Sequence, residues 1–103
     1  MSRNVVASNS VTVRSAAEFK HDLLAAFESS GDVMLDLDAL SEVDLSFVQM
    51  VCAAREQCAR DGRTLALLAP APAPVTALLD RAGFLTELTQ QDIQFWFHGE
   101  LPQ

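Results

Sequence analysis

Apolar and polar positions change period several times along the chain, and each change marks an element. Residues 1–9 are small and polar and read as a frayed lead-in or a weak first strand. Ser10-Val11-Thr12-Val13-Arg14 alternates, which predicts a strand. Ser15 followed by Glu18 has the spacing of a capping box and opens a helix. That helix carries Phe19, Leu23, Ala26 and Phe27 on one face and Lys20, His21, Asp22 and Glu28 on the other, and Ser29-Ser30-Gly31 ends it. Val33 to Leu37 predicts a second strand. Phe47 to Ala59 returns to helical spacing and stops at Asp61-Gly62.

On that second helix Phe47, Val48, Val51, Cys52, Ala54, Cys58 and Ala59 fall within an arc of roughly 160° and form the expected core face. Arg55 lies in the same arc, its stem packed and its head reaching water. Gln49, Ala53, Glu56 and Arg60 face the other way. Met50 sits at the edge of the polar face, where it serves equally as a binding contact or a peripheral core residue. Arg63 to Leu68 predicts a third strand. Pro70, Pro72 and Pro74 make the following segment a stiff extended connector, and Pro74 suits the first turn of a third helix, through Leu78 and Leu79, that Gly83 stops. Asp92 to His98 alternates. Ile93, Phe95 and Phe97 would share one side and Gln94, Trp96 and His98 the other, with Trp96 facing outward on a partner or self-association surface.

Strand and helix therefore alternate, and the expected fold is α/β: a small mixed or parallel sheet with helices mainly on one face. A thioredoxin-like or receiver-like arrangement shares this order. The lack of Cys-x-x-Cys and of a receiver-type lysine, Lys20 being the only lysine, disfavours both. The 103 residues read as one domain, with residues 89–103 as a C-terminal extension.

Charge narrows the range of partners. A net charge of -7 with pI near 4.5 argues against nucleic acid and anionic membrane surfaces. No apolar run approaches the ~18–20 residues of a membrane span, and residues 1–6 lack a signal-peptide core, so a soluble cytosolic protein is expected. Cys52 and Cys58 lie six positions apart, on different faces of one helix, which predicts two reduced cysteines and no disulfide. Nothing at ligand spacing suggests a metal, and nothing calls for a cofactor.

Chemistry concentrates at Val43-Asp44-Leu45-Ser46-Phe47, where strand gives way to helix. A helix N-terminus offers unpaired N–H groups and a partial positive charge. Asp44 or Ser46 can cap it, and a phosphate on Ser46 could be accommodated there. Asp36, Asp38, Glu42 and Asp44 are close in sequence, but strand alternation puts Asp36 and Asp38 on the face opposite Leu35 and Leu37, so they need not converge with Asp44 and read as solvated acids. His21, among charged neighbours, reads as a surface residue. There is no nucleophile elbow and no glycine-rich phosphate loop, so the chain does not read as an enzyme.

Asp44-Leu45-Ser46-Phe47, the helix after it, the strand Arg63 to Leu68 and Leu78-Leu79-Asp80-Arg81-Ala82-Gly83-Phe84 resemble the STAS domain family over roughly residues 10–88. Its best-known members are bacterial anti-sigma factor antagonists. The resemblance implies a regulatory binding module that docks a histidine-kinase-like ATPase, or another regulator, through the 44–47 turn and the exposed edge of the next helix. The contacts would be Asp44, Leu45, Ser46, Phe47, Gln49 and Met50. It also implies two alternatives: an accessory subunit bracing the ATPase of a lipid-transporting ABC system, and a role beside chemotaxis kinases. Family members place the phosphoacceptor Ser or Thr directly after the acid, and a Gly two positions further on. Here those places hold Leu45 and Phe47. Phosphorylation at the usual position is therefore impossible, and Ser46 is the only neighbour that could substitute.

Overall fold

The computed structural model describes residues 3–28, 31–86 and 88–99. Three strands form one parallel sheet: β1 (Arg3–Val6), β3 (Val33–Asp36) and β5 (Leu65–Leu67), in the order β1-β3-β5. β2 (Ser10–Val11) and β4 (Glu42–Val43) pair in a second, two-stranded parallel ladder. The helices are α1 (Ala16–Phe27), α2 (Leu45–Arg60), α3 (Ala73–Arg81) and α4 (Gln90–Phe97), with a 3-10 turn at Phe84–Thr86. This is the expected α/β fold with small parallel sheets.

Alternation decides which sheet face is covered. Val5, Leu35 and Leu67 lie side by side in register, and Val33 beside Leu65. All five are buried, and α1 and α2 pack over this layer, with Phe19 and Phe47 in ring contact at 5.5 Å between centroids. The intervening positions make the opposite face. There Asn4, Val6 and Leu68 are exposed, and Met34, Asp36 and Ala66 are half-buried. Burying one face only is what a period of two in the strands requires.

Several sequence expectations change in the folded chain. The weak first strand is real. The strand foreseen over Ser10–Arg14 stops at Val11, because Thr12 to Ser15 closes a turn with Ser15 N–H on the Thr12 carbonyl. The capping box at Ser15 does not form. The Ser15 hydroxyl instead accepts from the Thr12 N–H at 3.0 Å and donates to the Ser10 carbonyl at 3.1 Å, so it holds the turn rather than the helix. Ala59, placed on the core face by its angle, is exposed, since it borders an open cavity beside β5.

The largest revision is at the C-terminal end. The bulky run expected to alternate is the helix α4, started by a full capping box. Thr89 Oγ1 accepts from the Asp92 N–H at 3.1 Å, and Asp92 Oδ2 accepts from the Thr89 N–H at 3.2 Å. His98 ends it in the left-handed conformation, φ 51°. Helical wrapping buries Phe95, Trp96 and Phe97 together. Trp96, expected to face outward, is 3% exposed and stands edge-on to Phe95 at 4.9 Å.

Candidate functional site

The 44–47 turn is assembled by the small ladder. Pairing of Ser10 with Glu42 and of Val11 with Val43 carries the turn after β2 up against the residue after β4. That residue is Asp44, the N-cap of α2, with extended backbone at φ -135° and ψ -175°. Its carboxylate is used on both sides. Oδ1 accepts from the Ser46 N–H at 3.0 Å and from the Ser46 hydroxyl. Oδ2 accepts from the Val13 N–H at 2.8 Å, thirty-one positions away in sequence. One oxygen thus satisfies an orphan donor of the helix and the other ties the β2 turn to it. The hydrogen bond from the Ser46 hydroxyl, then that from the Val13 N–H, hold the Asp44 carboxyl below the usual carboxylate range, against a smaller opposing effect of burial.

The side chains around this cap separate by exposure. Leu45, at the first position of α2, is 44% exposed. Ser46 is half-buried with its hydroxyl turned onto Asp44. Phe47, proposed from sequence as a partner contact, is 0% exposed and packed against Phe19 with the rings tilted by 38°, so it supports the surface from below and touches nothing outside. Gln49 is exposed and Met50 half-buried. Both line a groove of about 500 Å³ between α1 and α2, with Ser46 at one end and Lys20, Leu24, Ala53 and Gln57 along it. The structure therefore brings Ser46, Gln49 and Met50 into one groove, with Asp44 as the N-cap and Leu45 exposed at the start of the same helix. It removes Phe47 and Trp96 from any surface. Lys20 and Leu24 are the residues the sequence reading missed. Leu24 stands on the solvent side of a helix whose apolar stripe did not include it, and only the neighbouring helix turns it into a groove wall.

The titratable groups elsewhere read as structural. Burial pushes both the Cys52 and the Cys58 thiol up, which leaves neither a ready thiolate, and both are free. Burial also pushes Asp92 up, but the Thr89 N–H and the Arg55 guanidinium at 3.0 Å more than offset it, so the carboxyl is held low. Arg55 lies over the Phe95 ring at 4.5 Å and fastens α4 to α2. Among the described residues no group of three or more His, Cys, Asp or Glu could hold a metal ion. None of the described helices is long and apolar enough to cross a membrane.

A family model described as "Mlab, STAS domain" matches residues 2–90, and the chain belongs to the STAS domain family. No curated protein matches the chain, and no solved structure does. The family is generally non-enzymatic, its members commonly bind protein partners, and membership supports a general regulatory module of the anti-sigma-factor-antagonist kind.

Proposed function

We propose that this STAS domain docks an ATPase partner without a phosphorylation switch, through Asp44, Leu45, Ser46, Gln49 and Met50. The observation that carries the reading is Leu45. An exposed leucine stands at the first position of α2, where relatives are expected to carry the phosphoacceptor, and the next residue, Ser46, lines the groove together with Gln49 and Met50. Large apolar side chains at a helix start, rimmed by polar groups, suit a partner contact. Ser46 makes a poor substitute acceptor because its hydroxyl is already given to Asp44. A phosphate there would set about -1.5 to -2 charges against an ionised carboxylate.

The partner is of the histidine-kinase-like ATPase class or another regulator. A second reading follows from the same premise. A contact with no switch suits a permanent brace better than a regulated encounter, which favours an accessory subunit on the ATPase of a lipid-transporting ABC system. Capture of partners by the tagged chain, followed by mass spectrometry, separates the two by the ATPase recovered. Leu45→Asp is expected to abolish that capture while leaving the melting temperature nearly unchanged, since the side chain is largely in water. Undiminished capture by the variant rejects this surface.

A further inference from the structure

Beyond the reading of the 44–50 surface, and independent of it, the outer edge of β5 has the makings of a second site. β5 pairs with β3 alone. The Val33 N–H donates to the Thr64 carbonyl at 2.9 Å and the Leu68 N–H to the Leu35 carbonyl at 2.9 Å. A parallel ladder then turns the backbone groups of Thr64, Ala66 and Leu68 toward β3, and those of Leu65 and Leu67 outward. On that outer side His98 Nε2 meets the Leu67 carbonyl at 2.8 Å. Among the described residues nothing pairs with the Leu65 N–H, the Leu65 carbonyl or the Leu67 N–H. The side chains of both residues lie in the core, so it is the backbone edge that is left for a partner.

A cavity of about 700 Å³ runs along this edge, between the end of α2 and α4. Its volume is within the range of ligand sites, roughly 300–1,000 Å³. In a chain of net charge -7 its lining includes Arg55, Arg63 and His98 and no Asp or Glu. Arg55 is taken by Asp92, whereas Arg63 has a buried Nη1 with no hydrogen-bond partner. An unpaired guanidinium nitrogen beside unpaired strand backbone asks for a carboxylate and a main chain together. The wall supplied by α4 starts at Gln90, where the family match ends.

We propose that the β5 edge takes an extended, acid-bearing segment of a partner protein as an added strand, with its backbone on Leu65 and Leu67 and a carboxylate on Arg63. A second copy of the chain fits poorly. Its own edge, Arg63-Thr64-Leu65-Ala66-Leu67-Leu68, carries no acid and would bring two arginines together. His98 closes the Leu67 end, so the strand enters from the Arg63 end.

The test is an NMR titration of the isotope-labelled full chain with a capped pentapeptide, Val-Glu-Val-Thr-Val. The Leu65 and Leu67 amides and the Arg63 side-chain N–H are expected to shift in a saturable way. The Glu-to-Gln peptide, and separately Arg63→Gln in the protein, should each weaken binding roughly tenfold, the loss of one charge-assisted bond. A peptide N-methylated at alternate residues should not bind, because it keeps the side chains and loses the ladder donors. This control needs no change in the protein, so a poorly folding Arg63 variant does not blunt the test. No shift at millimolar peptide overturns the proposal. So do equal binding of the N-methylated peptide, shifts confined to the α1–α2 groove, and concentration-dependent shifts at Leu65 and Leu67 without peptide, which would assign the edge to a second copy.

Discussion

Asp44 shows how far one side chain reaches. It caps α2, holds Ser46 and tethers the turn after β2, so it joins three segments that sequence reading treats separately. Asp44→Ala is expected to destabilise the fold by about 1 kcal/mol or somewhat more, as a lost cap does, measured by urea unfolding. Because the folded carboxyl titrates below its unfolded value, its contribution is present above about pH 4 and is lost as pH falls through the folded value. Asp44→Asn should therefore flatten the acid limb of the stability curve. A parallel curve for variant and native chain would reject the linkage. Ser46 offers a second test at this scale. Intact-mass analysis after incubation with a cognate kinase should show no phosphate adduct, and an adduct at high occupancy would sink the switch-free reading.

Among the elements, α4 is the most informative. Its eight residues are too few to hold a helix in water by propensity alone. Three things fix it: the Thr89–Asp92 capping box, the Arg55–Asp92 ion pair with Arg55 over Phe95, and burial of three adjacent aromatics. Trp96 is the only tryptophan. Its emission is expected to be blue-shifted and poorly quenched by iodide, and emission like that of free tryptophan would contradict the packing. Trp96→Ala should cost about 3–5 kcal/mol, the usual range for an aromatic removed from a core. Exposed partners of the same helix, such as Gln94, should tolerate substitution. On α2 the weighing of Met50 can also be settled. It is half-buried at the groove and packs against the core, so Met50→Asp should both lower the melting temperature and weaken capture of the partner. Leu45→Asp should do only the second.

At the scale of the molecule, one hydrophobic cluster runs from Val5 in β1 to Phe97 in α4 and includes residues of all four helices. Loss of helical circular dichroism and loss of the Trp96 signal should then coincide on heating, as in a single cooperative transition. Two separated transitions would instead mark the 89–103 segment as an extension that opens by itself. The same arrangement leaves one sheet face thinly covered, and leaves acidic charge distributed over the outside while the β5 cavity keeps its arginines.

Periodicity was enough to reveal the order of most elements, the one-sided burial of the strands and the capping position at residues 44–46, because each depends on neighbours within a turn or a pleat. Val33 to Leu37 and Leu65 to Leu67 could hardly be anything but strands, and Gly62 and Gly83 mark helix ends through their left-handed backbone. Leu45 and Phe47 could be recognised as departures from the family pattern by inspection. The C-terminal run could not be resolved that way: a string of bulky residues satisfies a period of two and of 3.6 alike. The Thr89-to-Asp92 spacing was the overlooked signal, a capping box with Asp in place of the commoner Glu or Gln. Other features required the chain to meet itself. Ser15 left its capping role for the β2 turn, Val13 found Asp44, Phe47 went under its own helix, and β5 was left paired with β3 alone, next to an Arg63 whose buried Nη1 has no partner. Each depends on contacts between residues distant in sequence, and no local pattern encodes which distant partner a side chain will find.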